Sequence, residues 1–103
     1  MHVNQSISLG EGVTGANITT SGTSASATIP NAAGGEKPKY CYVVATEAAH
    51  IRWGKDAQTA VATDLLLAAN SPLFINTAGA DTLAAIQNSS PGTVNIVPME
   101  FSR

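Results

Sequence analysis

The sequence predicts an all-β fold, a single β-sandwich or jelly-roll domain of about seven to eight short antiparallel strands. Three observations predict it. The large apolar side chains fall in runs of four to seven residues, each bounded by Gly, Pro, Asn, Asp or Thr; such runs suit strands and are too short for helices. Turn residues recur roughly every eight to twelve positions, the spacing of a sandwich. Between residues 21 and 29 small side chains alternate, Ser24, Ser26 and Thr28 against Ala25, Ala27 and Ile29, which is the two-residue period of an extended chain.

Residues 1–20 read as an N-terminal arm or first strand, and residues 21–103 as the sandwich. Val3, Ile7 and Leu9 alternate with polar residues and suggest a strand over 3–9, after which Gly10, Gly12 and Gly15 break the pattern. One short strand is expected within 17–20. The small-residue strand of 21–29 closes at Pro30, and residues 31–38, with Gly34-Gly35 between prolines, form the clearest loop. Residues 39–46 are apolar on both faces, as for a strand held between two layers. Glu47-Ala48-Ala49 is short enough for a hairpin into residues 50–54, where Ile51 and Trp53 share one face and His50 and Arg52 the other. Residues 55–62 read as a surface loop with room for one helical turn.

Residues 63–69 could pass locally as helix, but the terminator Asn70-Ser71-Pro72 favours a strand. Residues 73–76 follow as a short strand starting after a proline, which suits an edge or first position. Residues 82–87 and 92–99, joined by Asn88-Ser89-Ser90-Pro91, read as a closing hairpin, with Pro98 limiting pairing near its end.

One domain fits 103 residues and 10.5 kDa. Its core material is thin. Hydrophobic residues make up 44%, but many of these are alanine, which buries little area, so each larger side chain carries more of the stability. A chain of this kind gains by covering a face with another subunit. Charge is low, 12% of residues with a net charge of −2, and the five basic residues are mostly separated. No basic stripe tracks phosphates, which argues against nucleic acid. The start of the sequence shows neither the charged, apolar pattern of a secretory signal nor an apolar run long enough to span a membrane.

Chemistry offers no catalytic, cofactor or metal site. His2 and His50 are far apart and there is a single cysteine, so metal-ligand spacing is missing. Cys41 lies inside an apolar run and reads as a small buried hydrophobe. No motif selects two of the seven acids as an acid–base pair, and no nucleophile elbow is present. Gly10-Glu11-Gly12-Val13-Thr14-Gly15 satisfies the spacing G-x-G-x-x-G but lacks the preceding buried strand and following helix that a dinucleotide site needs. His50 and Arg52, with Glu47, read as a solvated polar patch. Tyr40 and Tyr42 share a strand face and read as sheet packing, or with Trp53 as stacking platforms for a sugar.

Several pieces occur in a recognisable order: Tyr42-Val43-Val44-Ala45, Ala49-His50-Ile51-Arg52-Trp53-Gly54, Leu66-Leu67-Ala68-Ala69-Asn70-Ser71-Pro72 with Phe74-Ile75, Ala84-Ala85-Ile86-Gln87, and Gly92-Thr93-Val94-Asn95-Ile96. In this order the sequence resembles a group of small tailed-bacteriophage virion proteins. The likeness covers roughly the last 60 residues and does not extend into residues 1–38. It implies a non-enzymatic β-sandwich that works in the virion as a capsid decoration or cement protein over capsomer junctions. The implied partners are the major capsid protein or other virion proteins and further copies of the chain, with a trimer favoured. Neck, tail or fibre placement and a carbohydrate-binding module are the alternatives. The contact residues expected on this reading are Val3, Ile7 and Leu9 in the arm, and Asn70, Pro72, Leu73 and Phe74 in the later segment, with loop 31–38 beside them.

Overall fold

The computed structural model describes residues 6–10, 12–32 and 34–102. Nine strands and no helix occur among them: β1 (Ser6–Leu9), β2 (Ala16–Thr19), β3 (Ala25–Thr28), β4 (Tyr40–Ala45), β5 (Ala49–Gly54), β6 (Leu65–Leu67), β7 (Leu73–Asn76), β8 (Thr82–Gln87) and β9 (Thr93–Ser102). One sheet has the order β2-β9-β4-β7, with β1 also on β9, and the other β3-β8-β5-β6. All strand pairs are antiparallel.

The pairing has a simple logic. β2 pairs β9, β3 pairs β8, β4 pairs β7 and β5 pairs β6. That is one long hairpin whose tip is the connection from β5 to β6. Rolling the hairpin brings β4 beside β9 and β5 beside β8, and the result is an eight-stranded jelly roll with β1 added. The expected all-β sandwich is therefore what the chain forms.

Two expected hairpins are not hairpins. β4 and β5, joined by 46–48, lie in different sheets, and so do β8 and β9, joined by 88–92. A connection of three to five residues can also cross from one layer to the other, and burial chose between the two. β4 alternates strictly, with Cys41, Val43 and Ala45 buried and Tyr40, Tyr42 and Val44 half-buried, so its inner face needs an opposing layer rather than a partner in its own plane. Strand 63–69 shortens to β6. β9 runs past the expected end at 99: its pairing with β4 stops at Pro98, as expected, but β1 continues the ladder from Met99 to Ser102. The molecule measures 49 Å along its long axis, against 27 and 24 Å across.

The core lies between the layers. Ile18, Val43, Val94, Ile96 and Ile75 face Ile51, Leu67, Leu83 and Ala85. Its ends are closed by polar groups that are all paired; among the described residues no buried side-chain nitrogen or oxygen lacks a partner. At one end the buried Thr20 hydroxyl donates to the Gly92 carbonyl (3.1 Å) and accepts the Gly92 amide (2.8 Å). At the other, Trp53 donates its Nε1–H to the Asn76 carbonyl (2.8 Å), linking the sheets. Its ring packs against the core as a plug.

Candidate assembly surface

β6 and β7 are each the last strand of their sheet, and a connection of only five residues, 68–72, joins them. They therefore run along the same side of the sandwich. A parallel bridge from Ala45 to Ala69 and the bond from the Asn70 amide to the Ala45 carbonyl (2.7 Å) pin that connection to β4. Asn70 takes a left-handed conformation, φ 58°, to make the turn, a position that asparagine tolerates better than most residues. Leu65 to Ala80 contains no charged side chain.

The register explains how apolar groups come to be exposed here. Leu73 stands opposite Val43 and Leu65 opposite Ile51. Val43 and Ile51 are core residues, so both leucines face the interior layer. Yet Leu73 is 38% exposed and Leu65 46%, because among the described residues no further strand closes that side. On the outer faces Phe74 is 69% exposed and Leu66 48%. The Phe74 ring meets Tyr42 at 5.9 Å in a tilted arrangement, the cross-strand pair that the register Tyr42↔Phe74 dictates. With roughly 200 Å² for an open aromatic side chain and about 100 Å² for a leucine, the four present about 270 Å².

The outer faces of the two sheets differ. On β3-β8-β5-β6 the connection from β5 to β6 folds back across the sheet. The Ala60 amide donates to Ser24 Oγ (2.9 Å), Arg52 Nε donates to Gln58 Oε1 (3.2 Å) and Arg52 pairs with Asp64 (3.5 Å). Ala84, between Ser26 and Arg52 in the register, is fully buried beneath it. The expected surface loop is exposed along most of its length and also serves as a cover, and Arg52 has Asp64 and Gln58, rather than Glu47, as its partners. His50 is bonded on both ring nitrogens, Nδ1 to the Asp64 carbonyl (2.9 Å) and Nε2 to Asn88 Oδ1 (3.1 Å). A carbonyl only accepts, so Nδ1 carries a proton. On the outer face of β2-β9-β4-β7 the outward residues are uncharged: Asn17, Thr19, Asn95, Val97, Tyr40, Tyr42, Val44 and Phe74 alternate there.

Of the expected contact residues, Asn70, Pro72, Leu73 and Phe74 come together on this open side, all exposed. Val3 lies outside the described residues. Ile7 and Leu9 belong to β1, Ile7 opposite Phe101 and Leu9 opposite Met99, across β9 and β4 from β7. Leu9 is 51% exposed. The six described residues thus divide between two regions. Leu65 and Leu66, which complete the open side, were missed; a charge-free run beginning at residue 65 was the signal available for them. In the described part of loop 31–38 the Gly35 amide donates to the Ala32 carbonyl (2.8 Å), Gly35 has φ 85°, and Lys37 bridges to Asp81 (3.7 Å).

Titratable groups elsewhere serve the fold. The Thr82 hydroxyl, then the Asp56 amide and the Lys37 ammonium, hold the Asp81 carboxyl below its usual range. Burial pushes the Cys41 thiol up, and its contact with Thr77 Oγ1 (3.4 Å) opposes this. The Thr77 hydroxyl also donates to the Pro38 carbonyl (3.1 Å). No group of three or more metal-ligating side chains occurs among the described residues. Gly15 of the G-x-G-x-x-G run serves packing: a Cβ there would lie 2.8 Å from the Ile96 carbonyl oxygen. Set beside known proteins, the chain matches no family model, no curated protein and no solved structure.

Proposed function

We propose that this chain is a structural subunit of a tailed-bacteriophage particle, a capsid decoration or cement protein that self-associates and binds the major capsid protein over capsomer junctions. The observation that carries the reading is the uncharged side formed by β6 and β7, where Leu65, Leu66, Leu73 and Phe74 stand open on two sheet edges. An edge of this kind presents unpaired main-chain groups together with apolar side chains, the combination through which β proteins add to one another. Jelly rolls recur in viral capsid proteins and in lectins, an analogy of fold that raises the prior and assigns no role. Its mechanism is burial of apolar and main-chain groups across subunits.

Quantitative mass spectrometry of purified virions tests the proposal. The expected result is a copy number of the same order as the major capsid protein. A few copies per particle would move the chain to the neck, tail or fibre, and absence from virions would overturn the reading.

One observation favours a second reading, a glycan-binding module of a fibre or spike. The exposed Phe74 and the half-buried Tyr42 form an aromatic pair on one outer face, with Asn76 and Asn95 nearby in the register, and aromatic rings with amide side chains suit sugars. Trp53, engaged with Asn76 and the core, is not the platform. Glycan binding abolished by Phe74→Ala in a folded protein would support this second reading.

A further inference from the structure

We propose that the open side is completed by a second copy of this chain, β7 pairing antiparallel with β7 of the copy and β6 lying alongside its β6, about a two-fold axis. The inference rests on reading this side as an assembly surface and names its occupant.

Three observations select that occupant. Leu65 and Leu73 face the interior layer from two different sheets, and both are left half open. Whatever seals them must continue both sheets at once. It needs two strand edges separated by the spacing of the layers, about 10 Å, each with an apolar residue directed inward. A second copy turned about a two-fold axis presents that pair of edges, and isologous contacts of this sort are the commonest in soluble oligomers.

Charge gives the second argument. Identical strands meeting across a two-fold would place like charges against each other if they carried any, and Leu65 to Ala80 carries none. The devices that normally guard an edge, an outward lysine, a proline within the strand or a bulge, are missing from Leu73–Asn76. The opposite edges differ: β2 and β3 expose Asn17, Thr19, Ser26 and Thr28.

Area is the third. A standard interface takes about 800 Å² from each partner, of which slightly more than half is non-polar. The four exposed side chains supply about 270 Å² of this kind, more than half the apolar share of one such interface, with the strand edges providing the polar part.

Sedimentation equilibrium and native mass spectrometry, run from about 1 µM to 1 mM, read the assembly state over the range of ordinary affinities. The expected result is a monomer–dimer equilibrium. Phe74→Lys and Leu65→Lys, at sites already exposed, should each weaken the dimer at least about tenfold, since like charges facing each other across an interface cost several kcal/mol. Circular dichroism confirms that each variant keeps its fold. Amide exchange of Phe74 and Asn76 should slow as wild-type concentration rises and stay fast in the variants. A monomer throughout, a trimer, or a dimer indifferent to both lysines would overturn the pairing. The virion reading stands or falls separately, on copy number in particles, and the two failures are distinguishable.

Discussion

Replacing Thr20 by valine keeps the shape of a fully buried side chain and removes one hydroxyl. That hydroxyl is bonded twice to Gly92, giving to its carbonyl and taking from its amide. After substitution the carbonyl keeps the bond from the Thr20 amide (2.8 Å), whereas the Gly92 amide loses its acceptor. Little room is left for water to replace it, because Gly92 is pressed against the connection from β4 to β5: a Cβ there would lie 2.7 Å from Thr46 Oγ1 and 2.9 Å from the Glu47 Cβ. An orphaned buried donor costs about 1–3 kcal/mol, and the added methyl returns about 0.8 kcal/mol of burial, so the net loss should lie between about 0.2 and 2.2 kcal/mol, centred near 1 kcal/mol. For a domain of this size each kcal/mol moves the melting temperature by roughly 4–8 °C. Urea unfolding should show a lower midpoint with an unchanged slope. Thr19→Val, one residue away on the open outer face, should stay within about 0.5 kcal/mol of wild type. If Thr20→Val is equally silent, the Gly92 clasp does not hold the end of the sandwich.

The core should be unforgiving elsewhere. Leu67→Ala, at a fully buried position on β6, should cost about 2–5 kcal/mol in urea unfolding; a loss below about 1 kcal/mol would mean that β6 is not packed as described. The Cys41 thiol, buried and raised above its usual value, should resist iodoacetamide in the native protein at pH 8 and react once urea unfolds it, so rapid native labelling would contradict its burial. Asp81 predicts a pH dependence. Its folded value lies below the ordinary 3.8, so its stabilisation is complete above that pH and is lost as pH falls through the lower folded value. Asp81→Asn should flatten the stability curve in that acid range, and an unchanged curve would remove the Thr82, Asp56 and Lys37 contacts as its cause.

Local chemistry alone determined where most strands lie. Leu73–Asn76 and Thr82–Gln87 agree with the sequence to the residue, because a proline, an Asp-Thr step and an asparagine each punctuate the chain within one turn's reach. Alternation of small side chains placed β3 within residues 21–29, an apolar run placed β4 within 39–46, and Asn70, Pro72, Leu73 and Phe74 already read as contact residues. Tertiary structure decided the pairing. The three residues of 46–48 and the five of 88–92 look like hairpin turns, and became crossings because the buried sides of β4, β5, β8 and β9 can share one core only when neighbours in sequence sit in opposite layers. The same winding put β6 and β7, six positions apart in the chain, on one open side and left Leu65 and Leu73 directed inward without cover. No run of sequence encodes a missing neighbour: a strand is an edge only when every other strand has been placed.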